Sequence, residues 1–306
     1  MIIRDKFHVI GSSSGHKIIT IRSDYIDECM KYYNQHKDID GVYICRGLGY
    51  ELPNIAFLDK HRYIKGISIS DGNKIDLSGI ENLKELEYIS ISDNTQPIDY
   101  SVFPKLEQIR SIWHPKVILP EGSKLKHLCL WHYKPESKSL IELSDLPNLE
   151  FMGMIQSSIK STEGIGRFKR LKKIELAYLP NLETLCDMKN LDIEIADIHN
   201  CKKIQNLDYI GTVKSLKRLI CDKCGSFTSI KLVGKLKSLE HFSFLDIDVL
   251  DGDMTPCLSI PCTAFTNKKY FTHTMEQINK LKGAPVQKRL KPKKIEINGE
   301  SVRLTF

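Results

Sequence analysis

Two apolar side chains two residues apart, recurring at intervals of about twenty residues, constrain this chain more than any other feature. The pairs are Ile67/Ile69, Ile89/Ile91, Leu128/Leu130, Met152/Met154, Ile174/Leu176, Ile193/Ile195, Leu219/Cys221 and Phe242/Phe244, with Ile109/Ser111 carrying a hydroxyl in the second slot. First members are separated by 22, 20, 19, 24, 22, 19, 26 and 23 residues, an average just under 22. Side chains two apart share one face of a strand, so each pair predicts a short strand with that face turned inward. Apolar residues three apart precede several of them, as in Leu83/Leu86, Leu146/Leu149, Phe168/Leu171, Val213/Leu216 and Leu236/Leu239. A unit this short cannot enclose a core alone. It buries its apolar side only when copies stack.

One unit shows the full pattern. Leu83–Asn94, LKELEYISISDN, reads Leu83-x-x-Leu86-x-x-Ile89-x-Ile91-x-x-Asn94, with Asn94 placed to satisfy backbone groups where the chain leaves the strand. On these residues the chain resembles a leucine-rich repeat protein of the short-repeat, internalin-like bacterial class. LSGIENLKELEYISIS, NLDYIGTVKSLKRLIC and SIKLVGKLKSLEHFSF carry the likeness best, and it covers roughly Asp38–Val249. Uneven repeat lengths and a scarcity of the ladder asparagine depart from the family pattern. The resemblance implies an α/β fold: a leucine-rich repeat solenoid with a curved parallel sheet on its concave side, irregular and 3₁₀ convex segments, and a cap at each end.

The flanking segments read as those caps, over residues 1–37 and 251–306, with the repeats between them at 38–250. Phe7/Val9 and Ile19/Ile21 flank GSSSG (Gly11–Gly15) and predict a hairpin. Ser23 is placed to cap a helix burying Ile26, Cys29, Met30 and Tyr33, after which Ile39, Val42 and Ile44 form an opening repeat. Near the other end, Thr274–Gln277 is a capping box that opens a helix through Leu281, stopped by Gly283. Ile295, Ile297, Val302, Leu304 and Phe306 alternate about Asn298-Gly299, a hairpin signal.

Composition narrows the chemistry. Apolar residues make up 41% and charged residues 27%, and no apolar run approaches the length of a membrane span. The opening MIIRDKFHVIGSSSG lacks the apolar stretch of a secretory signal, and nine cysteines at irregular spacing do not form a disulfide framework, so a reducing cytoplasm is expected. The net charge of +7 is matched by the segment from Ile260 onward, which holds ten Lys or Arg against three Asp or Glu. Its QKRLKPKK stretch (Gln287–Lys294) supports an alternative reading, contact with nucleic acid phosphates, but no nucleic-acid motif accompanies it. GSSSGHK has one residue too few between its glycines for a phosphate loop. Cys221 and Cys224 have metal-like spacing, yet in repeat register they fall in the second strand slot and the ladder slot, as buried thiols. No HExxH and no paired nucleophile is visible, so neither an enzyme, a cofactor nor a metal is expected.

That leaves the concave surface, where strand residues between and beside the inward pair emerge. The register places Tyr88, Arg110, Trp113, Trp131, His132, Phe151 and Tyr178 there, an aromatic-rich patch with the composition of an interface hot spot. Glu175, Asp192, Glu194 and Asp197 read as an acidic edge beside it, suited to a basic partner. A non-catalytic protein-binding module is therefore expected. By family analogy the expectation extends to an immunity or antitoxin protein that occludes a toxin or effector.

Overall fold

The computed structural model describes residues 6–12, 15–93, 96–122, 124–283, 294–297 and 300–303. Asn94, Ser13 and Ser14 of the GSSSG stretch, most of the basic tail, Asn298-Gly299, Leu304 and Phe306 lie outside them. Thirteen strands pair in strict chain order into one open sheet. They are β1 (Val9–Gly11), β2 (Lys17–Ile21), β3 (Gly41–Ile44), β4 (Gly66–Ile69), β5 (Tyr88–Ile91), β6 (Gln108–Ile112) and β7 (His127–Trp131), followed by β8 (Phe151–Ile155), β9 (Lys173–Ala177), β10 (Ile195–His199), β11 (Arg218–Asp222), β12 (His241–Phe244) and β13 (Cys262–Phe265). Within this sheet β1 and β2 pair antiparallel, and every later pairing is parallel. The chain is a leucine-rich repeat solenoid, one strand per coil.

Each coil is closed by local chemistry on the side opposite the sheet. Short 3₁₀ turns such as Ile80–Asn82, Ile165–Arg167, Ile210–Thr212 and Val233–Lys235 turn their first residue inward, and Ile80, Ile165, Ile210 and Val233 are all buried. Side chains just ahead of several of these turns hold the backbone: Asp76 accepts from the Ser78 amide at 2.9 Å and Asp99 from Ser101 at 2.9 Å. Those local bonds compete with helix formation and favour a tight turn. Across the sheet entrance, oppositely charged residues pair between neighbouring coils, giving Lys65–Glu87 at 3.1 Å, Glu107–Lys126 at 2.8 Å and Glu194–Lys217 at 2.7 Å.

One register differs from the sequence reading. The inward pair of the tenth strand is Ala196/Ile198, which aligns with Ile174/Leu176 on one side and Leu219/Cys221 on the other. Ile193 is fully buried, but in the approach slot three residues before the pair, the slot that Leu171 and Leu216 fill on adjacent coils. Ile195 is half-exposed on the opposite face. DIEIADIH offers two alternating frames, and bulk favoured the wrong one. With Ala196 as first member, the uneven intervals of 19 and 26 become 22 and 23. An asparagine at Ile193 should therefore lower unfolding free energy by about 3 kcal/mol or more, whereas one at Ile195 should change it by less than about 1 kcal/mol. Urea denaturation of the two variants decides between the registers, and equal losses would contradict this one.

Elements that do not follow the repeat flank the parallel strands on both sides in the chain. β1 and β2 form the predicted hairpin, and α1 (Ile26–Gln35) buries Cys29, Met30 and Tyr33 beneath it. Ser23 does not cap this helix; it begins a 3₁₀ turn, and its hydroxyl accepts from the Glu51 amide at 2.8 Å. At the far end, α2 (Met275–Leu281) opens on the full capping box of Thr274 and Gln277. Beyond it lies a separate hairpin of β14 (Lys294–Ile297) and β15 (Glu300–Arg303).

Candidate functional site

The strands set side chains in rungs, because parallel neighbours align residue for residue. The between-pair rung runs Ser68, Ser90, Arg110, Cys129, Gly153, Glu175, Asp197, Ile220 and Ser243. The rung after the pair aligns Ile112, Trp131, Ile155 and Ala177 on four successive strands. Ile112, Trp131 and Ile155 are each half-buried. The core slots beneath are already filled, since Ile109, Leu128, Leu130, Met152, Met154, Ile174 and Leu176 are all fully buried. Ile112, Trp131 and Ile155 are thus apolar surface beyond what the core uses, while Ala177 is buried.

The residue following that strip explains which aromatic rings reach solvent. Asp71, Asp93, His132, Gln156, Tyr178, Asn200, Lys223 and Asp246 occupy this slot on eight coils, and all have left-handed φ between 52° and 62°. Such a backbone turns the side chain away from the sheet, and Tyr178 is 56% exposed. Trp113 holds the same slot without a positive φ. Its ring folds towards the core and meets Tyr133 edge-on at 5.6 Å. The two tryptophans therefore have different surroundings. Trp131 instead lies under the Arg110 guanidinium, 5.2 Å from the ring, a cation–π contact.

Other predicted residues move more. Tyr88 is only 3% exposed, because the ring of His16 stacks on it at 4.2 Å while the His16 Nε2–H donates to Gln108 Oε1 at 3.0 Å. The amino-terminal hairpin thus covers the first coils and removes Tyr88 from the surface. Nothing in the spacing of His16 signals a contact 92 residues away. Asp192 and Glu194 leave the concave face with the corrected register. Glu194 joins the entry ladder, where its hydrogen bond and ion pair with Lys217 hold the carboxyl below its usual range. Asp192 lies against Lys172 at 3.9 Å. Asp197 stays on the face, but Lys173 (3.4 Å) and Arg218 (3.6 Å) flank it. The acidic edge is replaced by balanced charge.

Between Arg110 and Glu175 the face is hollow, a cavity of about 240 Å³ lined also by His127, Cys129, Phe151 and Lys173. Its floor is the buried Cys129, whose thiol is pushed up to about 12 by burial and is inert as a nucleophile. Phe151 forms the wall, with the Lys173 ammonium 5.6 Å from its ring and His127 beside it at 5.8 Å. Burial lowers the His127 pKa and favours its neutral ring.

The cysteines are structural in placement. Cys221 is buried in the second inward slot, and Cys224 in the ladder slot donates its thiol to the Ile198 and Asp222 carbonyls at 3.6 Å. Cys201 does the same one coil earlier, towards Leu176 and His199. Thiols thus bond backbone carbonyls on two successive coils from the ladder slot. Cys186 sits apart on a connecting loop, and among the described residues no group of His, Cys, Asp or Glu is arranged to hold a metal. Among the same residues, no helix is long and apolar enough to cross a membrane.

In sequence, no family model and no curated protein matches the chain. In structure it is similar to an internalin (inlF) from Listeria monocytogenes, with a TM-score of 0.53 and 11% identity over 77% of this chain and 70% of that one. The functional domain of InlJ from the same organism, described as including a cysteine ladder, aligns at TM-score 0.48 and 14% identity, covering 73% of this chain and 55% of that one. An internalin C2 (inlC2), again from Listeria monocytogenes, gives 0.34 and 15% identity over 70% and 76%. The likeness is one of fold: an internalin-like leucine-rich repeat solenoid.

Proposed function

We propose that this leucine-rich repeat solenoid is a non-catalytic protein-binding module whose concave face, from β6 to β9, holds the partner. The observation that supports this is the strip of Ile112, Trp131 and Ile155, half-buried and aligned on consecutive strands near an exposed Tyr178, above core slots that are already filled. Aromatic and aliphatic side chains held rigidly on strands present contact area at little entropic cost, which is how binding hot spots are built. The finer reading is an immunity or antitoxin role in which this face occludes a toxin or effector; it rests on analogy with the fold.

The test uses wild-type chain and its Trp131→Ala variant as matched baits in native lysate, followed by affinity measurement with the identified partner. Loss of the indole should weaken binding by about 2 kcal/mol, roughly thirtyfold, with the melting temperature nearly unchanged, since Trp131 stands on the surface side of the sheet. Unchanged affinity in a stable variant would overturn the assignment of the face.

A further inference from the structure

We propose that the partner segment lies across the strands along the rung Arg110, Cys129, Gly153 and Glu175, bringing a carboxylate to Arg110, a basic side chain to Glu175 and an apolar side chain between them. The proposal deepens the protein-binding reading and rests on it. The four residues form one line, since Arg110 aligns with Cys129, Cys129 with Gly153 and Gly153 with Glu175. The line is small in the middle and charged at both ends. Gly153 adds no side chain to the line because its neighbours already fill that place: a Cβ there would lie 2.7 Å from the Cys129 sulfur and 3.3 Å from Phe151 Cζ.

The other charges on this part of the face are already answered. Asp197 sits between Lys173 and Arg218, and Asp222 accepts hydrogen bonds from Ser243 and the Leu245 amide. Among the described residues, Arg110 has the Trp131 ring but no carboxylate, and Glu175 has no cation. They do not reach each other because three strand spacings, about 14 Å, separate them. A partner docking over the hollow takes both from water. A charge buried without its opposite weakens binding strongly, so this face discriminates by the order of charges that the partner presents. Arg110 suits a carboxylate particularly, as a guanidinium binds one through two parallel hydrogen bonds. The matching groups on the partner stand about four residues apart in an extended segment, or about nine in a helix.

The probe is a random peptide library of about sixteen residues displayed on phage, panned on the full-length chain; enriched peptides are synthesised and titrated against wild type, Arg110→Glu, Glu175→Lys and Trp131→Ala. Enriched sequences should carry an acidic and a basic residue on either side of an apolar one, and each charge reversal should weaken them at least tenfold. Changing the peptide's acidic residue to lysine should restore binding to Arg110→Glu while losing wild type. Peptides without the charge pair, or an unenriched library, overturn the proposal. Peptides weakened by Trp131→Ala but indifferent to both reversals overturn the rung and leave the binding face standing. Indifference to all three substitutions removes both.

Discussion

Replacing Leu128 with aspartate is expected to abolish soluble folding. Leu128 is fully buried in the middle of the sheet, in register with Ile109 on one side and Met152 on the other. Every coil stacks only on its neighbours, so an unpaired carboxylate at this position has no water and no cation within the core. The penalty, about 4 kcal/mol or more, is a large fraction of the 5–15 kcal/mol that ordinarily holds a domain together. Methionine at the same position keeps nearly the same volume and should lose less than about 1.5 kcal/mol. Soluble yield and thermal melting of the two variants check this. A soluble Leu128→Asp chain that melts like wild type would show that Leu128 faces out, and the assignment of every face would fail with it.

Gly41→Val should break the amino-terminal end and spare the rest. A Cβ at Gly41 would lie 2.7 Å from the Gly66 Cα and press into the Gly66 carbonyl, which is backbone and cannot rotate away. Gly66 is hemmed in turn, with the Tyr88 ring 3.0 Å from where its own Cβ would fall. These two glycines let β3 and β4 approach beneath the ring on which His16 stacks. Valine should cost about 3 kcal/mol or more locally. Because a solenoid's stability is close to a sum over neighbouring coils, the damage should stay near its source. Amide exchange should accelerate in β1–β4 while β8–β11 keep their protection. Gly11→Val is the control: nothing lies within 4 Å of a Cβ there, so its exchange pattern should match wild type. Uniform loss of protection in Gly41→Val would mean that the chain unfolds as one unit.

The architecture was legible because it repeats. Apolar residues two apart select a strand face, and their recurrence near 22 residues selects stacking, so the inward slots from Ile67 to Phe244 could be assigned before any coordinates, with the tenth strand the exception. Local chemistry was equally readable where it acts within a few residues, as in the capping box of Thr274 and Gln277. Tertiary structure alone decided whatever depends on which coil meets which group. Ile193/Ile195 and Ala196/Ile198 satisfy the same alternation, and only hydrogen bonding to β9 and β11 selects the smaller pair. That shift moves Glu194 off the face and leaves Asp197 between two cations. The same holds for the cover of His16 over Tyr88 and the inward turn of Trp113, which hang on contacts across coils and on a single backbone dihedral. Spacing along the chain specifies a side chain's face. The charge, cover and tilt it finds there come from residues that become neighbours only when the coils stack.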